Sequence, residues 1–94
     1  MDSYEEKVIN AVTKTLNFYK VNPNRYSFFK YSEIAEYLVF KESNCSYVFY
    51  SRDYGMVNKE LITSNLGIIA KHMIGYLVPS TEYKTACELY YHYI

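Results

Sequence analysis

Two cysteines, two histidines and twenty scattered charged side chains are the groups able to do chemistry in this 94-residue chain. No Cys-x-x-Cys pair and no Cys/His cluster occurs, so no zinc site is expected, and no metal or cofactor is assigned. Cys45 and Cys87 read as plain buried thiols. A disulfide joining them enters the reading only for a hyperthermophile, where intracellular disulfides persist. His72, a lone histidine, reads as structural or solvent-facing rather than catalytic. A Gly-rich phosphate loop, a nucleophile elbow and a His-Glu-x-x-His helix are all missing. The carboxylates are dispersed, with Glu33 and Glu36 expected on an exposed short helix, and a small domain leaves little room for a pocket. The expectation is a non-enzyme with no small-molecule substrate.

Composition narrows the class further. Ninety-four residues suit one domain, residues 1–94. Half the residues are hydrophobic, too many for a disordered chain. No apolar run approaches the ~20 residues of a membrane span, and the acidic start, Met1 to Glu6, lacks the apolar stretch of a secretory signal. A cytoplasmic location is expected, in the host if the source is viral. Ten basic side chains balance ten acidic ones. That balance weighs against nucleic-acid binding, which favours basic domains, although charge placement matters more than its sum. Tyrosine is over-used, at 13 residues with no Trp. AT-rich codon bias accounts for it, with a dedicated aromatic surface as the alternative.

The positioning elements are read from periodicity. Val8, Ile9, Val12, Leu16 and Tyr19 recur at helical spacing, Ser3-x-x-Glu6 forms a capping box, and Pro23 stops the chain, predicting a helix over Tyr4–Tyr19. The aromatic Tyr26–Tyr31 segment fits one short strand. Ser32 as N-cap, with Ile34, Ala35 and Leu38 on one stripe, predicts a second helix to about Phe40 or Glu42. Ser46–Tyr50 has strand-like residues and Arg52-Asp53-Tyr54-Gly55 a turn, inside a long connection spanning Lys41–Val57. Leu66, Ile69, Ala70 and Met73 make the cleanest apolar stripe, predicting a third helix from Asn58 or Ser64 to Ile74 with Gly75 as its C-cap. Tyr76–Val78 and Thr85–Tyr93 fit a β-hairpin about Pro79–Glu82. A helix from Ser80 fits the tail too, and the density of β-formers in Leu89–Ile94 favours the hairpin.

Tyr31–Leu38, Ile62–Met73 and Tyr90–Ile94, in that order, resemble the positioning helix, recognition helix and second wing strand of winged helix-turn-helix DNA-binding proteins of archaea and archaeal viruses. The resemblance implies an α+β fold of three helices and a small β-hairpin wing, an all-α bundle being the alternative. It implies a small transcriptional regulator, an intracellular homodimer on double-stranded DNA, with Phe18 and Tyr19 of the first helix as candidates for the dimer contact. The third helix would enter the major groove. There Asn65 suits adenine, Ser64, Lys71 and His72 suit phosphates or base edges, and Ile68 suits a thymine methyl. Lys59, Arg52 and, from the wing, Lys84 would reach the backbone. Helix capping by Ser64 and Asn65, subunit packing by Ile68 and a solvated Lys71 stand beside these roles. A second function fits the same fold: a protein-interaction module without DNA binding, with Tyr47, Tyr50 and Tyr54 in its contact patch.

Overall fold

A computed structural model describes residues 3–43 and 45–94. Three α-helices and one four-stranded sheet follow in the order α1 (Ser3–Phe18), β1 (Tyr26–Phe28), β2 (Tyr37–Ser43), β3 (Ser46–Asp53), β4 (Met56–Thr63), α2 (Leu66–Leu77) and α3 (Tyr83–Tyr93). Short 3-10 turns occupy Pro23–Arg25 and Ser80–Glu82. A helix followed by a four-stranded sheet is not a winged-helix pattern, and the expected winged helix-turn-helix is corrected here. The all-α alternative falls with it. The chain divides into two compact units, one made of Met1–Asn22 with Ala70–Ile94, the other of Pro23–Ile69.

In the helical unit, α1 forms within one residue of its expected bounds, with Val8, Val12 and Leu16 buried on its predicted stripe beside Ala11 and Thr15. The Thr15 hydroxyl donates to the Ala11 carbonyl at 2.8 Å, which lets a polar side chain sit in the core. The helix closes in a Schellman motif. Val21 N–H donates to Leu16 O at 3.0 Å, Lys20 N–H to Asn17 O at 2.9 Å, and Lys20 takes the left-handed conformation at φ 60. The later part of α2 runs past Gly75 to Leu77, so Gly75 is a helix-interior residue and not the expected cap. The tail is helical as well: α3 packs on α1 and buries Ala86 and Tyr90. The favoured hairpin there is overturned because one apolar stripe packed on a neighbouring helix outweighs the strand preference of tyrosine.

The second unit is a sheet in the order β1-β2-β3-β4. β1 pairs with β2 in parallel, while β2–β3 and β3–β4 are antiparallel hairpins. The second helix expected from Ser32 does not form. Ser32 Oγ accepts from the N–H groups of Ala35 (3.1 Å) and Ile34 (3.3 Å), a turn that borrows the chemistry of a helix cap, and the chain then enters β2 at Tyr37. Tyr37, Val39, Tyr47 and Phe49 point to one face by register, with Tyr37 and Phe49 stacked at 5.8 Å. Central β3 buries Tyr47, Val48 and Phe49 in succession, the pattern of a strand covered on both faces. At the β3–β4 turn, Tyr54 (φ 50) and Gly55 (φ 79) both have positive φ, the mark of the tight hairpin turn that matches strand twist. The region from Asn58 expected to begin the third helix is instead β4, and α2 starts at Leu66.

Candidate interaction surfaces

β4 is the open side of the sheet. It is an eight-residue edge strand in which Met56 to Glu60 are all exposed. Met56 is 67% exposed, Ile62 49% and Val57 39%, while Tyr54 at the hairpin tip is 97% exposed. Such an edge carries backbone groups able to pair with another strand. Two devices restrain it. The register against β3 slips between Phe49 and Tyr50, which face Leu61 and Lys59, so Glu60 is the extra residue of a β-bulge. Lys59 and Glu60 also place adjacent opposite charges at mid-strand, with Glu60 accepting from Ser51 Oγ at 2.8 Å.

The bulge decides which side chains share a face. Val57, Lys59 and Ile62 lie opposite Arg52, Tyr50 and Val48, alternate residues of β3, and so point the same way. Asn58, Leu61 and Thr63, opposite Ser51, Phe49 and Tyr47, point the other way. Val57 and Ile62 are five residues apart and would fall on opposite faces of a regular strand.

The other edge, β1, is closed differently. It has three residues, and its Tyr26 is buried. The eight residues 29–36 make the parallel return to β2, shorter than the dozen or more usual for such a crossover. Arginines tie this loop down. Arg52 Nε donates to Ala35 O at 2.9 Å, its Nη2 donates to Ser32 O, and its guanidinium lies 5.9 Å from the Tyr31 ring. Arg25 and Glu36 form a bridge of 2.5 Å. The hydrogen bond and charge of Arg25 hold the Glu36 carboxyl below its ordinary value, and Glu36 raises Arg25 in turn.

In the helical unit, α2 and α3 form a shallow hollow of about 220 Å³ lined by Lys71, His72, Gly75, Tyr76 and Tyr83. Lys71 Nζ donates to the Tyr91 hydroxyl at 2.9 Å, and this bond raises the lysine above its ordinary value. Tyr83 is also raised, first by its hydrogen bond with the Cys87 thiol and then by burial. A Cβ at Gly75 would come within 3.2 Å of the Tyr83 ring, so glycine permits that approach.

The expected site residues separate accordingly. Lys71, His72 and Lys84 belong to the helical unit, and Lys84 is exposed on α3, on no wing. Arg52, Lys59, Ser64, Asn65 and Ile68 belong to the sheet unit. Asn65 is the N-cap of α2, its Oδ1 accepting from Gly67 N–H at 2.9 Å; Ser64 precedes it, exposed, and Ile68 follows, 37% exposed. Arg52 is occupied by backbone carbonyls, and Lys59 is exposed on β4. Cys45 is an exposed free thiol, against the expectation of burial, and Cys87 is a half-buried one, also free. Sequence reading missed β4 altogether, although Met56-Val57 and Leu61-Ile62 flanking Asn58-Lys59-Glu60 after a Tyr-Gly turn is a hairpin signal.

Among the described residues no cluster of three metal-ligating side chains exists, and no helix is long and apolar enough to cross a membrane. Comparison with protein-family models, curated proteins and solved structures finds no match.

Proposed function

We propose that this chain is a non-enzymatic protein-interaction module that takes an added strand along β4. The observation that carries the reading is the long exposed edge with its three solvent-facing apolar side chains, Met56, Val57 and Ile62. Strand addition uses main-chain hydrogen bonds for affinity and alternate side chains for selectivity, and β4 offers both. Charge distribution supports a protein partner. The sheet unit sets Arg25, Lys30, Lys41, Arg52 and Lys59 against Glu33, Glu36, Glu42, Asp53 and Glu60. The helical unit sets five lysines against Asp2 and four glutamates. Neither body is basic overall, whereas duplex affinity draws on neutralised phosphates.

Double-stranded DNA is the competing reading, with Lys71, His72 and exposed Lys84 as its contacts. Two measurements separate them. A photo-activatable side chain in place of Val57 is expected to capture protein when expressed in the source cell, and one in place of Lys84 is not. Filter binding to mixed duplex DNA is expected to show no retention at low salt. Retention that falls steeply as salt rises would overturn the protein-partner reading in favour of DNA.

A further inference from the structure

We propose that the strand accepted by β4 is a segment of a partner protein reading apolar-x-acidic-x-apolar, with the acid set against Lys59. The inference rests on reading β4 as a strand-accepting edge and names the chemistry of its occupant.

β4 offers a partner three rows on one face. Val57, Lys59 and Ile62 continue the rows of Arg52, Tyr50 and Val48 across the sheet. Their spacing in sequence is uneven because Glu60 is the extra residue of the bulge. A regular strand paired to β4 as β3 is paired therefore meets all three rows with alternate residues, which share a face. The outer rows are apolar. Val57 is 39% exposed and Ile62 49%, so covering them removes apolar surface from water.

The middle row is cationic. Lys59 is exposed, and among the described residues it has no ion-pair partner. The adjoining carboxylate, Glu60, accepts from Ser51 Oγ, and Ser51 shares the other face with Asn58 and Leu61. Arg52 adds a second cation one row away on the Lys59 face. Unlike charges directly opposed across two strands stabilise the pair, and like charges destabilise it. An acid opposite Lys59, flanked by apolar side chains, matches all three rows, and the order reads the same in either strand direction. A second β4 laid on these rows would set lysine against lysine, so charge favours a different chain.

The probes are the capped peptide Thr-Val-Thr-Glu-Thr-Val-Thr and its counterpart with lysine for glutamate, titrated into the isotope-labelled full chain up to millimolar concentration. Amide shifts centred on β4 and a preference of about fivefold or more for the glutamate peptide are expected. Lys59→Glu is expected to reverse that preference in favour of the lysine peptide, which loss of folding would not do. The glutamate peptide with serine for both valines is expected to bind about tenfold more weakly, and equal binding overturns the apolar rows. Equal binding of the two charged peptides at β4, or a preference that Lys59→Glu leaves unchanged, overturns the acidic occupant while β4 stands as an accepting edge. A dimer in light scattering without peptide, with its β4 amides protected, makes a second copy the occupant and overturns the partner segment. An absence of shifts on β4 with every peptide also overturns that segment, and amide exchange then tells the two readings apart. Fast exchange over Met56–Thr63 leaves the edge open to another partner, and slow exchange in a monomer overturns the open edge as well.

Discussion

The two edges of this sheet solve one problem by different means. β1 is three residues long, with buried Tyr26 and a return loop pinned by Arg52 and the Arg25–Glu36 bridge. β4 is eight residues long, exposed, bulged at Glu60 and marked by one adjacent pair of opposite charges. Shortness and a fastened loop leave β1 little free edge to offer. Charge and a bulge restrain β4 but leave its edge exposed. A closed edge needs only geometry, whereas a selective edge needs side-chain chemistry.

Four substitutions test that contrast, beginning with the shared centre. Phe49→Ala should destroy both edges together, because Phe49 is fully buried on β3; a loss of about 4 kcal/mol in denaturant unfolding is expected. Arg52→Ala should release the loop beside β1 and spare β4. Two carbonyls lose a cationic donor, so about 2–3 kcal/mol is expected, with faster amide exchange confined to residues 26–36. Equal acceleration at Met56–Thr63 would break the comparison. Gly55→Ala strains the φ 79 turn that joins β3 to β4, and a cost of roughly 1 kcal/mol should appear with β1 undisturbed.

Glu36→Gln should have the smallest effect, roughly 0.5 kcal/mol, since both partners of the bridge are nearly half exposed. Its pH dependence has a definite sign. Glu36 is held below its ordinary carboxylate value, so its contribution is complete above that value and disappears as pH falls through the lowered one. Wild type and Glu36→Gln should therefore converge in acid, checked by thermal unfolding at several pH values. In the helical unit, burial pushes Tyr90 up to about 12. Its contribution is full below the usual tyrosine range near 10 and is lost as pH rises to the shifted value. Tyr90→Phe should blunt that alkaline loss.

Sequence reading succeeded where the signal is local. α1 is written by a regular stripe, Val8, Val12 and Leu16, which lies wholly within the helix. Leu66, Ile69, Ala70 and Met73 are buried as their spacing implies. It failed where one local device serves two structures. Ser32 caps a turn with the same hydroxyl that would start a helix, and only the Tyr37–Phe40 run tells them apart. In α3, tyrosines that favour strands are held helical by packing on α1, a distant interaction. β4, the candidate site, carries the weakest signal of all. A strand exposed on both sides has no alternation to read, and its bulge would break any that existed.

The fastened loop also has a consequence in time. β2, β3 and β4 form consecutive hairpins, so their pairing joins neighbours in sequence and can start at the Tyr54-Gly55 turn. β1 must instead pair in parallel, and the loop it needs is held by Arg52 at the far end of β3. The first strand of the sheet is thus expected to join last, after the meander has delivered that arginine. Substitutions at Phe49 or Gly55 should slow refolding, and those at Arg25 should leave it unchanged while quickening unfolding, a division visible in the two arms of a chevron plot.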